Sequence, residues 1–302
     1  MRHFLLAAPL AAVLALPAPA ASPFEGRWDL TITTPKTTYP GWMQVTGEKV
    51  RVQPRSGSAY DIAGARFDGS RLSVPLEKSG KTSWELTVSD DHISGALKLG
   101  ATEGGKVDGA RAPALHRPMP KAWTKPEPLF NGKDLSGWVP DRPQASHWKA
   151  EDGVLVNAEK GANLRTSRTF DDFKLHVELN CPENGNSGIY LRGRYEMQVE
   201  YEPPGTEDNF HSMASIYGAV ATKADVPRTP GQWETFDITL VGRTVTVVRN
   251  GVTVIDRQEI PGITGGALDS REGEPGPFYI QGDHTGGIKF RNITVSVPSP
   301  RK

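Results

Sequence analysis

The clearest pattern of the chain lies between Ile189 and Tyr201, where apolar and polar residues alternate. Side chains on a β-strand point to opposite faces with a period of two, so one face of this stretch carries only polar groups. That face holds Tyr190, Arg192, Arg194, Glu196, Gln198 and Glu200. The alternation predicts one long strand with a buried face and a polar face that forms the floor of a groove.

Shorter runs of the same period fill residues 22–117, and turn sequences such as Asp68-Gly69-Ser70 separate them. Short, evenly spaced strands without a helical period predict a small antiparallel β-barrel or sandwich domain. We expect its tryptophans Trp28, Trp42 and Trp84 to pack in a core, and this part contains no catalytic constellation. The proline-rich residues 118–127 that follow predict an interdomain linker.

Residues 128–298 again alternate and form a second predicted domain. The run Phe173–Asn180 places its four apolar side chains on one face, and Asn250-Gly251 predicts a tight hairpin. The last strand changes its apolar parity near Arg291-Asn292, which predicts a β-bulge. The glycine-rich, charged segment Gly262–Gly276 predicts a mobile loop. Many strands and hardly any helix predict an all-β, two-sheet jelly roll.

Charge and composition exclude some classes of function. The 302 residues include 35 Lys+Arg and 35 Asp+Glu, so the formal net charge is zero and nucleic acid is not an expected partner. Residues 1–21 combine a positive start, an apolar run and a small-residue cleavage pattern, which predicts a signal peptide and a periplasmic or secreted protein. No later stretch predicts a transmembrane helix. The lone Cys181 cannot form an intrachain disulfide.

Seven short motifs in the second domain, taken in order, resemble one known family. They are Leu129–Trp138, Asn186–Val199, Ile216-Tyr217-Gly218, Gly231–Glu234, Asn250-Gly251, Ile280–His284 and Phe290–Ile293. This part of the chain is similar to the 3-keto-disaccharide hydrolase domain family. The resemblance implies a concanavalin A-like jelly roll and an enzyme that cleaves glycosides already oxidised at C3, with a small carbohydrate as its substrate.

Chemistry on such a substrate begins at C2, because a ketone at C3 makes the C2 proton acidic. A base removes that proton, the C1 substituent leaves, and water adds back; the steps need a base, an acid and a donor for the enolate. We expect Glu196 as the base, Arg192 at the enolate, His284 as acid, base or metal ligand, and Glu178 as a second carboxylate. The expected substrate-binding residues are Gln198, Asn186, Tyr217, Gln281 and Trp233. Gly188 is expected at positive φ in the loop before the strand.

Alternatives stay open on the sequence alone. The arginines and glutamates of the polar face could be cross-strand ion pairs that contribute little. A divalent metal ion could sit between Glu178, Glu196 and His284, although no compact ligand motif requires one. The protein could be a retaining glycosidase of laminarinase type, or a carbohydrate-binding protein without catalysis. The aglycone, the linkage and the oligomeric state are not determined.

Overall fold

The computed structural model describes residues 22–206 and 208–300. Over these residues the fold is all-β, with twenty-two strands and one short 3₁₀ helix, which confirms the predicted class. The predicted signal peptide, residues 1–21, lies outside the described residues. In the described part of the chain, no helix has the length and apolar character needed to cross a membrane.

The first nine strands form one antiparallel sheet. They are β1 (Gly26–Thr33), β2 (Thr38–Thr46), β3 (Lys49–Gln53), β4 (Tyr60–Ile62), β5 (Arg66–Asp68), β6 (Arg71–Pro75), β7 (Thr82–Ser89), β8 (His92–Leu99) and β9 (Thr102–Arg111). Their order is β4-β3-β2-β1-β9-β8-β7-β6-β5, so sequential strands are neighbours and β1 also pairs with β9. The sheet is therefore an up-and-down barrel that stays open between β4 and β5.

The core of this barrel comes from the inward face of every long strand. Trp28 and Trp84 are buried in it, as the alternation predicts. Trp42 is also buried, but it belongs to the core cluster of the following domain. The barrel therefore contributes the Trp42 side chain to the core of the second domain.

The remaining strands build the second domain. They are β10 (Glu127–Pro128), β11 (Trp138–Pro140), β12 (Trp148–Glu151), β13 (Val154–Asn157), β14 (Leu164–Thr166), β15 (Phe173–Asn180), β16 (Asn186–Leu191), β17 (Tyr195–Glu200), β18 (Trp233–Val241), β19 (Thr244–Arg249), β20 (Val252–Glu259), β21 (Tyr279–Ile280) and β22 (Ile288–Ser296). The 3₁₀ helix spans Pro143–Ala145.

Two sheets enclose one core, as in a jelly roll. The larger has the order β12-β13-β22-β15-β18-β19-β20, with β10 paired to β22, and the smaller has the order β11-β14-β21-β16-β17. Two residues at the end of the predicted linker are already bonded to the end of the jelly roll. Glu127 pairs with the last strand, β22, and the Thr124 amide donates a hydrogen bond to the residue that follows this strand. The chain therefore joins the jelly roll before Pro128.

Several local predictions are confirmed. The apolar residues of β15 are all buried in the core between the sheets. Asn250 and Gly251, both at positive φ, join β19 to β20 in a two-residue hairpin. The pairing of β15 with β22 shifts its register opposite Asn292, which has a φ of 51°. This shift is the predicted bulge, and it brings both halves of β22 onto the same core.

The prediction of one long strand from Ile189 to Tyr201 is wrong, because the chain reverses at residues 192–194 and forms the hairpin β16–β17. Tyr190 pairs with Glu196, and Asn186 pairs with Glu200. Each pair joins two residues of the same parity. The even-numbered side chains of both strands therefore still share one face, whereas the arginines of the turn leave it.

The segment Gly262–Gly276, expected as a mobile loop, is largely packed against other parts of the chain. Ile263 is buried in the jelly-roll core, and Glu272 is fully buried. The Trp42 indole of the barrel donates a hydrogen bond of 2.9 Å to the Ile263 carbonyl. This segment is therefore one of the places where the two domains meet.

Candidate active site

A groove of about 620 Å³ lies over the even-numbered face of β16 and β17. Its volume is in the range of about 300–1,000 Å³ that small-molecule sites occupy. The lining residues of the jelly roll are Asn163, Asn186, Tyr190, Glu196, Gln198, Glu200, Glu202, Asp208, His211, Tyr217, Gly265, Gly266, Tyr279, Gln281, Asp283 and His284, and the barrel adds Ser56 and Gly57. The lining contains five carboxylates and neither lysine nor arginine.

Glu196 lies at the base of this groove and is only 4% exposed. Burial raises the pKa of its carboxyl to about 8, and the nearby charges of Glu200 and Asp283 act in the same direction. The hydrogen bond with Tyr190 opposes the shift. Within the described residues no cation forms a salt bridge with Glu196. A carboxyl of this kind exchanges its proton near neutral pH.

The hydrogen bonds around Glu196 accommodate the protonated form. The Tyr190 hydroxyl lies 2.9 Å from Glu196 Oε2 and 2.7 Å from the Gly265 carbonyl oxygen, but it has one proton to donate. Gln281 Nε2 donates to the same hydroxyl oxygen over 3.1 Å. If Glu196 is protonated, it donates to Tyr190 and Tyr190 donates to Gly265, so every group is satisfied. If Glu196 is ionised, Tyr190 turns its proton to the carboxylate.

Gly188 of β16, which pairs with Gln198 of β17, leaves space for the Glu196 carboxyl. The expected positive φ is wrong, because Gly188 is an ordinary extended residue of the strand, and Asn184 is the residue of that loop with a φ of 55°. A Cβ atom at position 188 would lie 2.2 Å from Glu196 Oε1. Glycine is therefore required here by a close approach rather than by its backbone freedom.

Two histidines stand at the groove, each beside an aspartate. His284 Nδ1 lies 2.9 Å from Asp283 Oδ1, and this hydrogen bond is the main cause that lowers the pKa of Asp283. His211 Nδ1 lies 2.8 Å from Asp208 Oδ2. Burial would raise the pKa of Asp208, but its hydrogen bonds with His211 and with backbone N–H groups outweigh that effect and lower it. Each aspartate thus orients an imidazole at the groove.

The structure brings most of the predicted substrate-binding residues to the groove. Gln198 and Asn186 project from β17 and β16, and Tyr217 packs edge-on against the ring of His211. Gln281 follows β21, and its Oε1 atom is buried without a hydrogen-bond partner. An unpaired buried acceptor of this kind suits a ligand hydroxyl. His284 also reaches the groove.

Three predicted residues lie elsewhere. Arg192 is in the turn after β16, where its guanidinium binds Asp171, Tyr195 and the carbonyl of Gly242. It is buried away from the groove because the chain reverses there. Arg192 is therefore not available to an enolate in the groove.

Glu178 and Trp233 belong to the larger sheet. Glu178, expected as a second carboxylate of the site, lies on β15, which pairs with β18 and β22 and not with the hairpin that carries Glu196. Glu178 accepts hydrogen bonds from Arg291 and Asn292, and the Arg291 guanidinium stacks 4.0 Å from the centre of the Trp233 ring. Both side chains serve this local cluster and do not line the groove.

Separation of Glu178 from Glu196 and His284 removes the ligand set that the sequence suggested for a metal ion. Among residues 22–206 and 208–300, no group of three or more His, Cys, Asp and Glu side chains is arranged to hold one.

Sequence reasoning missed several groove residues. Asp208 and His211 come from a long segment without strands. Asn163 directly precedes β14 and Tyr279 lies in β21, and these two paired strands are far apart in sequence. The spacing Asp208-x-x-His211 is a local signal that could have been noticed. Nothing local signals that Ser58 of the barrel lies 2.7 Å from His211 Nε2.

Comparisons with known proteins follow the same division of the chain. The model of the 3-keto-alpha-glucoside-1,2-lyase-like domain matches residues 125–296. A solved structure from Parabacteroides distasonis ATCC 8503, named a "putative glycosyl hydrolase", is 30% identical, covers 60% of this chain and 93% of its own, and has a TM-score of 0.51. A second structure of the same name and organism is 24% identical, covers 57% and 98%, and has a TM-score of 0.44. No curated protein matches the chain.

Proposed function

Because the chain belongs to the family of the 3-keto-alpha-glucoside-1,2-lyase-like domain, it is a carbohydrate-active protein, and we propose that it cleaves glycosides that carry a ketone at C3. The observation that carries this proposal is Glu196, a buried carboxyl that faces a groove and has no salt bridge to any cation of residues 22–206 and 208–300. Its pKa of about 8 suits a base that must take a proton from carbon and then release it.

In the proposed reaction, Glu196 takes the C2 proton and the electron pair of the C2–H bond moves toward the C3 ketone. The C1–O bond then breaks, the leaving alcohol takes up a proton, and a C1–C2 double bond remains. Water adds at C1 and a proton returns to C2, so the net change is hydrolysis; without the addition of water it is elimination. After the first step, the protonated Glu196 donates to Tyr190, and Tyr190 donates to Gly265.

Donors for the enolate and the leaving group must come from the groove, since Arg192 is not there. The imidazoles of His211 and His284 are the candidates, each held by an aspartate. Gln281 and Gln198 would bind hydroxyl groups of the sugar, and Tyr217 offers an aromatic ring to its apolar face. These roles rest on position in the groove.

The charge of the lining favours a neutral substrate. Besides Glu196, which is largely protonated at neutral pH, four carboxylates line the groove, and its described lining holds no lysine or arginine. These carboxylates repel phosphorylated sugars and uronic acids, because like charges in a partly enclosed groove interact strongly. We therefore infer an uncharged 3-keto-glycoside.

The experiment compares a disaccharide with its 3-keto derivative. The purified protein should release a free sugar from the oxidised form only, measured by chromatography. If Glu196 is the base, proton–deuterium exchange at C2 in deuterated water should accompany turnover. Cleavage of the unoxidised disaccharide would contradict the proposal and favour an ordinary glycosidase, and binding without cleavage would favour a carbohydrate-binding protein.

We also propose that the protein is exported, on the strength of the sequence of residues 1–21. The expected product is a mature chain that begins near Ser22. N-terminal sequencing of protein recovered from the periplasm and the medium tests this. A chain that keeps Met1 in both fractions would contradict it.

A further inference from the structure

One loop of the barrel reaches the groove of the jelly roll. Residues 55–58 lie between β3 and β4, and Ser56 and Gly57 form part of the groove lining opposite the jelly-roll residue Gly265. The lining is therefore built from both domains, although the family match begins only at residue 125.

The contact between the domains at this point is backbone against backbone. A Cβ atom on Gly265 would lie 2.8 Å from both the nitrogen and the oxygen of Gly57. The Gly266 amide donates a hydrogen bond of 3.1 Å to the Arg55 carbonyl. Inside the barrel, the buried Gln53 amide donates to the carbonyls of Pro54 and Gly57. The loop is thus fixed from both sides.

The same contact holds groups that touch Glu196. Gly265, whose carbonyl accepts from Tyr190, follows directly on Thr264, whose Oγ1 accepts a hydrogen bond of 3.0 Å from the Glu196 amide. Trp42 of the barrel binds the preceding residue Ile263. The position of the barrel and the surroundings of Glu196 are therefore mechanically linked.

Ser58 makes the second link, through its hydroxyl, which lies 2.7 Å from His211 Nε2. With Asp208 on the other ring nitrogen, the order is that of a Ser-His-Asp triad. Ser58 is not placed as a nucleophile, however, because its hydroxyl packs against Gly218, where a Cβ atom would lie 2.2 Å from Oγ. Its geometry is that of a group that fixes the His211 ring.

We propose that the barrel loop 55–58 is a specificity-determining wall of the groove, and that Ser58 is a positioning residue for His211. The wall confines the groove to glycosides of about disaccharide size and excludes internal bonds of long polysaccharides. The identity of the sugar rests on the proposed function above, whereas the wall itself rests on contacts between the two domains.

The first test adds bulk to the wall. Ser56→Trp should raise KM for a 3-keto-disaccharide by about tenfold or more, and should change KM for a methyl 3-keto-glucoside much less. Ser70→Trp, at an exposed turn of the same barrel outside the groove, is the matched control. If the two variants have equal KM values on both substrates, the proposal that loop 55–58 limits substrate size is overturned.

The second test concerns His211. Ser58→Ala should change the NMR chemical shifts of the His211 ring nitrogens and lower kcat, and Ser58→Thr, which keeps a hydroxyl, should restore both. Ser70→Ala should change neither. If the ring-nitrogen shifts of His211 are the same in Ser58→Ala and wild type, the positioning role is overturned.

Binding of the same two sugars by calorimetry separates this inference from the proposed function. If the wild type binds a keto-sugar without cleaving it, the proposed function fails, and the wall is upheld when Ser56→Trp alone weakens binding. If the wild type cleaves the keto-sugar but Ser56→Trp and Ser70→Trp bind it equally well, the proposed wall is overturned and the proposed function is retained. A wild type that neither binds nor cleaves overturns both.

Discussion

Glu196 and Glu234 are both buried glutamates on strands of the jelly roll, and their surroundings are opposite. Glu234, 2% exposed, accepts hydrogen bonds from Arg249 over 2.6 Å, from Asn250 over 3.0 Å and from the Tyr201 hydroxyl. Glu196, 4% exposed, has the Tyr190 hydroxyl as a partner, and no cation in the described part of the chain pairs with it.

The difference shows how the same residue type serves two purposes. A buried carboxylate that is paired with an arginine and fully hydrogen-bonded connects two strands. A buried carboxyl without a cation holds its proton more tightly, because the charged form has lost its water and gained no partner.

Glu196→Gln should lower kcat/KM on the 3-keto substrate by about 10²–10⁴-fold, the usual contribution of a general base. The fold should survive, since a neutral amide resembles the protonated acid. Steady-state kinetics and a thermal melt at pH 7 measure both. Glu234→Gln is the control at the paired site, and an equal loss of activity there would remove the distinction.

Glu234→Ala should destabilise the jelly roll by about 3–5 kcal/mol, because it leaves Arg249 buried without its partner. Denaturant unfolding followed by fluorescence measures the change. The double variant Glu234→Leu, Arg249→Met should lose less than Glu234→Ala alone, since it leaves no unpaired charge. A larger loss in the double variant would contradict this account.

Stability should fall as pH rises because of Glu196. Its pKa is about 4.5 in the unfolded chain and about 8 in the fold, so between these values the folded state holds a proton that the unfolded state has lost. The free energy of unfolding should decrease by about 2–3 kcal/mol from pH 5 to pH 7 through this group. Subtracting the free energy of unfolding of Glu196→Gln from that of the wild type at each pH isolates the contribution of Glu196. If the two free energies change in parallel with pH, the raised pKa is contradicted.

Tyr190→Phe should raise the pKa of Glu196 further, because the carboxylate loses the hydrogen bond from the Tyr190 hydroxyl, which lowers that pKa in the wild type. The rise of kcat/KM with pH, expected near pH 8 in the wild type, should move upward by about one unit. A pH–rate profile measures it. Tyr279→Phe, which changes a neighbouring ring without a bond to Glu196, is the control.

Much of the fold could be predicted from the sequence because period-two alternation reports burial directly. The core face of β15, the hairpin at Asn250-Gly251 and the bulge near Asn292 all follow from local pattern. The reversal at residues 192–194 could not be predicted in the same way, since Arg192 and Arg194 continue the alternation through the turn. A glycine between them was the only local hint.

The candidate site was predictable where it lies on that hairpin and not where other elements reach it. Glu196 and Gln198 were identified from alternation, and His284 and Gln281 from the family motifs. The expectation that Glu178 belongs to the site did not match the structure, because alternation within a strand does not reveal which distant strand it pairs with. The contribution of Ser58 depends on how two domains pack, which no local pattern records.

The pairing between β16 and β17 has a consequence for variation among relatives. The face that β17 turns to the groove is set by its register on β16, in which Glu196 lies opposite Tyr190, and not by the number of residues in the turn 192–194. Hairpin loops of about two to five residues join antiparallel strands, so this turn can change in length while the groove keeps its residues. A slip of one residue in the register would instead send Glu196 into the core and Met197 into the groove, so the register, and not the turn, should be inherited without change.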